Sequence, residues 1–419
     1  MKYRIPANTV LPVGGYAVFT ESQFNAGGTN AFALSSLGGD AVYLFSGDGT
    51  NITGYRHGYE FGAQINGVTF GRHVASDGVE HFVTQQANTL GNANTGPMVG
   101  PIVINEVMYA PPPFGSNANT LDEFIELRNI TGQPAPLFDP IHPTNAWRLD
   151  GGVQFAFPPG VTMPPWSYLL IVSFDPDHDP VMLNWFRARY AVSTNIPLFG
   201  PFQGHLANEG ERVGLYQPDK PQVPPAPNVG FVPYVLVEEV HYSNHLPWPV
   251  AADSTGNSLQ RIASIAFADD PANWQAYAPS AGRLNQAAYT ADTDNDGLPD
   301  EWELTNGLDP QNSAGFNGPL GDPDGDGESN WEEYVAGTDP HNAADSLRLD
   351  SVTLSPPYCV LGFNTRTGHT YTVESAVELG STNIWMPVGG VINGNDSPAT
   401  VYDQIGPSAR FYRLKVTRN

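Results

Sequence analysis

Between residues 292 and 333 one acidic pattern occurs twice in identical phase. Asp292, Asp294, Asp296, Asp300 and Glu303 stand at positions 1, 3, 5, 9 and 12 of a twelve-residue frame, and Asp322, Asp324, Asp326, Asn330 and Glu333 repeat it. Alternate carboxylates on a curling backbone converge on one centre. The backbone carbonyls of Leu298 and Glu328 at position 7 and a bidentate Glu at position 12 complete an oxygen shell. About six to eight such oxygens suit a hard cation, and the spacing is that of a calcium loop. Gly297 and Gly327 take the sharp turn at position 6, where a Cβ would obstruct it. Asp300 and Asn330 are expected to ligate directly or through water, or to cap the short helix that follows.

A solvated acidic linker would not place Gly and Glu at the same two offsets twice. Nor would it repeat the sequel, in which Leu304 matches Tyr334, Gly307 matches Gly337, and Asp309-Pro310-x-Asn312 matches Asp339-Pro340-x-Asn342. Asp309 and Asp339 fit either extra ligands or Asx-turns closing the helices. Neither loop is entered by a helical pattern, and position 8 is Pro299 in one and Ser329 in the other. The unit is therefore loop then helix. Residues 292 to about 345 resemble bacterial thrombospondin type 3-like calcium repeats and, more distantly, dockerin modules. A dockerin-like partner surface ranks lower, because Glu301-Trp302 on one helix faces an unmatched Trp331-Glu332 on the other.

Of 419 residues, 18 are Lys or Arg and 43 are Asp or Glu, for a formal charge of −25. Residues 290–345 hold 15 of those acids and no Lys or Arg, so the remainder is only mildly acidic. That balance argues against nucleic-acid and anionic-membrane binding. Gly (44) and Pro (39) are frequent and helical periodicity is scarce, which predicts a mainly β, loop-rich protein of several domains. The lone Cys359 reads as a small hydrophobe in a strand. No apolar run long enough to span a membrane is present, and Met1-Lys-Tyr-Arg-Ile-Pro lacks the apolar region of a signal peptide.

The first 98 residues parallel the back half of the stretch from 100 to 289. Ile5–Phe19 matches Phe157–Ile171, Phe32–Leu44 matches Gly204–Tyr216, and Ala87–Asn94 matches Ala278–Asn285 around Gly91 and Gly282. The first copy thus lacks opening strands, which predicts an exposed sheet edge and a chain whose natural beginning, with any export signal, lies upstream. In the second copy Ile125 and Leu127 alternate with Glu126 and Arg128, and Val153, Phe155 and Phe157 alternate likewise, as half-buried strands require. One helix is predicted over Val181–Tyr190, with Val181, Trp185 and Ala188 inward. The segments IVINEVMYAP, DEFIELRN, ANEGERVGLY and NWQAYAPSAGRLN resemble a bacterial lamin-tail domain, which implies an immunoglobulin-like β-sandwich and carries no catalytic residue. Residues 346–419, with GHTYTVESA and RFYRLKV, resemble the C-terminal β-module that follows such calcium repeats, a further sandwich.

The architecture expected is therefore a truncated sandwich (1–98), a complete one (100–289), a calcium module (290–345) and a C-terminal sandwich (346–419). Motifs of zinc proteases, α/β-hydrolases, phosphate loops and C-x-x-C pairs are absent. The leftover acidic and histidine groups are Asp175-Pro-Asp177-His178-Asp179, read as a turn with Asp179 capping a helix, and Glu238, Glu239, His241 and His245, of which the strand residues Glu238, Glu239 and His241 are read as a cross-strand pair or solvent face. Trp166 and Trp248, in Pro-flanked turns, are expected to cap the core rather than bind sugar. These readings imply a non-catalytic, calcium-binding protein of the cell surface or exterior, serving adhesion or spacing through a protein or carbohydrate partner. The alternative is the accessory region of a larger exported enzyme, a hydrolase or spore-coat-type kinase.

Overall fold

The computed structural model describes residues 3–418 except 30, 49, 114–118, 225, 227, 287–290, 379–384 and 407–408. Residues 1–290 and 291–419 form two compact units. The first begins with a single-turn helix, α1 (Glu21–Phe24), and two hairpins: β1 (Asp40–Gly47) with β2 (Ile52–Phe61), and β3 (Phe70–Val74) with β4 (Glu80–Thr84).

The second repeat is a two-sheet sandwich. Its strands are β5 (Ile102–Met108), β6 (Phe124–Asn129), β7 (Ala135–Pro136), β8 (Arg148–Gly151), β9 (Val153–Ala156), β10 (Thr162–Met163) and β11 (Tyr168–Val172). After α2 (Pro180–Tyr190) come β12 (Leu198–Phe199), β13 (Gln203–Gly204), β14 (Gly210–Pro218), β15 (Tyr234–Ser243), β16 (Ser258–Arg261) and β17 (Trp274–Tyr277). One sheet runs β12-β11-β6-β5-β16-β17 and the other β13-β9-β8-β14-β15. Their facing side chains, among them Ile104, Leu127 and Leu259 against Leu149, Val213 and Leu215, form one core. Trp248 is buried in it beside Trp274, as expected of a core cap.

Helix α2 closes the outer face of the six-stranded sheet. Asp179 caps it, accepting from the Met182 N–H at 2.9 Å, with Pro180 in its first turn. The predicted inward face is corrected: Val181 is exposed, and Phe186 and Tyr190 go inward against Met108, Phe124, Leu170 and Val172. That second layer also explains why β6 does not alternate. Every one of its residues is buried, Glu126 and Arg128 included.

In the second unit, α3 (Asp300–Thr305) and α4 (Asn330–Ala336) follow the two acidic loops. Then β18 (Ser351–Ser355), β19 (Tyr358–Asn364), β20 (His369–Ala376), β21 (Met386–Asn393), β22 (Pro398–Gln404) and β23 (Phe411–Arg418) form the sheets β18-β19-β22 and β21-β20-β23 around Leu361, Phe363, Tyr371 and Val373. Cys359 lies buried in β19. Strand β23 is an edge, with Arg413, Lys415 and Arg418 spaced along it.

The internal repeat is visible in the backbone. Gly91 and Gly282 share φ near +75° (+76° and +74°), a left-handed conformation that favours glycine. The hairpin registers move the sequence alignment by one residue. Val42 pairs Tyr59 as Val213 pairs Val240, so Gly39 rather than Gly38 corresponds to Gly210.

Candidate metal centre

Each acidic loop is wound by its own first and third carboxylates. Asp292 Oδ2 accepts from the Gly297 N–H at 3.0 Å, and Asp322 Oδ2 from the Gly327 N–H at 3.1 Å. Asp296 Oδ1 accepts from the Leu298 N–H at 2.9 Å and Asp326 Oδ1 from the Glu328 N–H at 2.8 Å. The position-6 glycines have φ of +99° and +97°, where a side chain would be strained. Each loop runs into a short helix that ends on a left-handed glycine, Gly307 (φ +71°) or Gly337 (φ +77°). Asp309 Oδ1 and Asp339 Oδ1 then accept from Gln311 and His341 N–H groups, so these two close Asx-turns.

Carboxylate oxygens of Asp292, Asp294 and Asp296 lie within 4.8 Å of one another, and those of Asp322, Asp324 and Asp326 do likewise. The glutamates at position 12 complete the enclosure. Glu303 and Glu333 are fully buried. Burial and the charges of Asp296 and Asp294 push Glu303 up to about 8. Burial with Asp324 and Asp326 does the same to Glu333, also to about 8. Both carboxylate oxygens of Glu303, Glu333 and Asp294, with Oδ2 of Asp296 and of Asp324, are buried with no donor in hydrogen-bonding geometry. Buried carboxylates normally find donors, and crowding several without any is costly. A divalent cation in each loop would satisfy that loop's oxygens together. Oxygen-only donors suit calcium or magnesium rather than a soft metal.

Position 9 is used differently. Asp300 turns its carboxylate onto Thr293, accepting from its N–H at 2.6 Å and its hydroxyl at 2.7 Å. Asn330 donates through Nδ2 to the Phe316 and Gly318 carbonyls, both at 2.8 Å. These contacts brace the loops, a role that the bare twelve-residue frame does not reveal, while Asn330 Oδ1 is buried without a donor among the described residues, like the other loop oxygens. Leu298 is buried, and Glu328 accepts from the Leu347 N–H at 3.2 Å through a side-chain oxygen, which leaves its backbone carbonyl for the loop.

The two loop–helix units touch each other and the sandwich that follows. Trp302 and Trp331 pack on the Tyr334 ring at 5.5 and 5.7 Å, and His341 Nε2 lies 2.7 Å from the Asn306 carbonyl. Arg418 of β23 stacks over the Tyr334 ring at 4.1 Å and donates to its carbonyl at 2.8 Å.

Two other clusters are satisfied internally. Asp269 accepts from His241 N–H at 2.6 Å and lies 2.7 Å from its Nδ1, while Glu239 takes Arg212 Nε at 2.7 Å. Asp175 lies 2.9 Å from His178 Nδ1 and accepts from its N–H, a loop turn as expected. The sequence reading passed over Glu106 and Glu126, both fully buried. Glu106 accepts from Ser258 and from the Ser280 N–H, and Glu126 accepts from Asn105 Nδ2 at 2.7 Å and the Gly282 N–H. They lie in the INEV and DEFIELRN segments and clamp the PSAGRLN segment, all quoted above for their resemblance.

Compared with known families, the chain matches the bacterial TSP3 repeat at residues 292–313 and 322–343. No curated protein matches it. Among solved structures, a DUF4876 family protein from Bacteroides thetaiotaomicron VPI-5482 is similar at 11% identity, over 64% of this chain and 96% of its own, with a TM-score of 0.28.

Proposed function

We propose that residues 292–343 bind two calcium ions, and that the ions stiffen a spacer in a modular, non-catalytic protein that works outside the cell. The observation that carries this is the set of buried, donorless carboxylate oxygens at the same offsets in two loops, each inside a TSP3-type repeat. Asp292, Asp294, Asp296, Glu303 and the Leu298 carbonyl would hold one ion. Asp322, Asp324, Asp326, Glu333 and the Glu328 carbonyl would hold the other, with Asp300 and Asn330 ligating directly or through water.

Without the ions the carboxylates repel one another across each loop. With them each loop closes onto its helix, and the ring contacts of Trp302, Trp331 and Tyr334 carry that order to Arg418 and the C-terminal sandwich. Exposed modular sites of this kind bind at about 10⁻⁴–10⁻³ M, which matches extracellular calcium. Among the described residues no helix is long and apolar enough to cross a membrane. The lamin-tail resemblance of residues 100–289 fits the same role, presentation of a surface to a protein or carbohydrate partner.

The test is calorimetric calcium titration of the chain beside an Asp296→Ala/Asp326→Ala double variant. Two binding events in the parent, lost in the variant and accompanied by a higher melting temperature, are expected. No heat and no thermal shift at millimolar calcium would remove the proposal.

A further inference from the structure

The loop between β16 and β17 carries the second repeat onto the β3–β4 hairpin of the first, and three histidines surround it. Phe267 enters beside His73 and His81, its ring edge-to-face with theirs at 5.1 and 5.2 Å. Those two histidines are directly opposite each other in the hairpin. Asp270 holds the hairpin's turn. Its Oδ2 accepts from the Ser76 N–H at 3.0 Å and its Oδ1 from the Ser76 hydroxyl, while Oδ1 also accepts from the Ala272 N–H at 3.0 Å. Asp269 is buried and serves both repeats. Its Oδ2 lies 2.7 Å from Nδ1 of His241 on β15 and 3.5 Å from Nδ1 of His81 on β4, and its Oδ1 accepts from the His241 N–H at 2.6 Å.

Charge decides how firmly this loop holds. A buried carboxylate is costly unless paired, and imidazole changes charge near neutral pH. A protonated His241 gives Asp269 a charge-assisted hydrogen bond, and a neutral one gives it a weaker bond. At His73 the preference is reversed, because a charge there would be half buried beside Phe267 and opposite His81. The surroundings agree. The hydrogen bond to Asp269 holds His241 above the ordinary histidine value of 6.5 despite burial, with Glu239 adding to that effect and Arg212 opposing it. Burial first and His81 second hold His73 below 6.5, with Asp270 pulling the other way. Arg72 and Glu80 pair with each other on the opposite face of the hairpin.

We propose that residues 267–270 form a pH-tuned latch between the two repeats, tight while His241 is charged and His73 is neutral, and loosened on either side of that state. The signs follow from linkage. The His241 contribution is complete below 6.5 and fades as pH rises through its higher folded value. The His73 contribution is complete above 6.5 and fades as pH falls towards its lower folded value. The grip is therefore greatest near pH 6.5 and weaker in both acid and alkali. Ala63 and Val235 are bridged through their backbones, a contact without charge, so the latch loosens the hairpin without freeing the first repeat.

The test uses the full chain in calcium and reads hydrogen exchange at the Ser76 and His241 amides at pH 5, 6.5 and 8.5, each corrected for its intrinsic rate at that pH. Protection is expected to peak at pH 6.5 and to fall at least about threefold at both extremes. His241→Gln, which keeps a donor for Asp269, should abolish the alkaline fall and leave the acid one. His73→Phe, which keeps a ring beside Phe267, should abolish the acid fall alone. A merely structural role would lower protection equally at every pH. Flat protection in the parent overturns the latch, as do falls that survive both substitutions. Should either variant fail to fold, histidine titration of the parent by NMR decides: midpoints of His241 and His73 on opposite sides of 6.5 are expected, and coincident ones overturn the proposal.

Discussion

Two groups of buried carboxylates occupy this molecule, and they are buried for opposite reasons. In the second sandwich, Glu106, Glu126 and Glu238 lie inside the protein with donors on their oxygens: Ser258 and Ser280, Asn105 and Gly282, Arg261 and the Ile104 N–H. In the acidic loops, Glu303 and Glu333 are equally buried, and among the described residues no donor reaches them in hydrogen-bonding geometry, with the Thr338 hydroxyl the nearest approach to Glu333. Burial pushes the protonation point upward in both groups, so that shift does not distinguish them. The donors do. A carboxylate that the chain itself satisfies is structural, and a set that the chain leaves unsatisfied together is a request for a cation.

The largest way to break this comparison is at Arg261. Its guanidinium, with a side chain 0% exposed, gives Nη1 to both Glu238 oxygens at 2.9 Å and to the Ile104 carbonyl at 3.1 Å. Arg261→Met leaves the buried Glu238 with the Ile104 N–H alone, and should destabilise residues 3–286 by about 3–5 kcal/mol. Urea unfolding should show the same loss with calcium and with chelator. A loss that calcium rescues would place the sandwich acids in the ion-binding class and erase the distinction.

The second test asks for a change of sign. Glu303→Gln and Glu333→Gln remove a charge from each loop. In chelator they should stabilise residues 291–418 by about 1–2 kcal/mol, since the crowded carboxylates there only repel. In 10 mM calcium each should be less stable than the parent by about 1 kcal/mol, a swing of about 2.7 kcal/mol from chelator, the linkage expected when a site of about 10⁻⁴ M is lost. Melting curves under both conditions decide it. The same sign in both would mean that the loops are acid turns without an ion.

How much of this was legible in the sequence follows the same line. The two convergent carboxylate sets were legible because their members are neighbours in the chain at a fixed spacing. The two-sheet architecture followed from alternation and turns. The Glu106 and Glu126 clamp was not legible as such, because its donors sit as far away as Ser258, Ser280 and Gly282, and nothing local marks them. The face of α2 was missed since period alone places Val181 and Phe186 on nearly competing stripes, and the sheet beneath chooses Phe186. Asp300 and Asn330 show the limit from the other side. They fit the ligand frame by type and also brace the loops through Thr293 and the carbonyls of 316 and 318, contacts that the frame alone does not reveal.

Glu123 is the intermediate case and sharpens the boundary. It is 2% exposed and accepts from the Leu206 N–H at 2.9 Å, with Glu211 adding like charge. Burial first and Glu211 second push it up to about 7. The folded state therefore takes the proton more readily than the unfolded chain. Stability is unpenalised below the unfolded value near 4.5 and declines as pH rises through about 7, then stays level. Glu123→Gln keeps the acceptor and removes the charge, so it should stabilise the chain by about 1–2 kcal/mol at pH 8 and change nothing at pH 4. Unfolding midpoints at the two pH values measure it, and an equal effect at both would mean that the charge is already compensated.

The smallest effect concerns how order leaves the loops. Arg418 joins β23 to α4 by stacking on Tyr334 and by a hydrogen bond to its carbonyl. It lies outside both acid sets and contacts no proposed ligand. Arg418→Leu should therefore leave the calcium heat and stoichiometry unchanged, and cost the C-terminal sandwich about 0.5–1 kcal/mol. The informative readout is hydrogen exchange along β23 with and without calcium. In the parent, calcium should slow the amides nearest Arg418, because a closed second loop holds Tyr334 in place. In the variant that slowing should disappear while α4 itself remains protected. Protection of β23 that survives the substitution would mean that the ion's influence stops at the helix, and that each loop orders only its own turn.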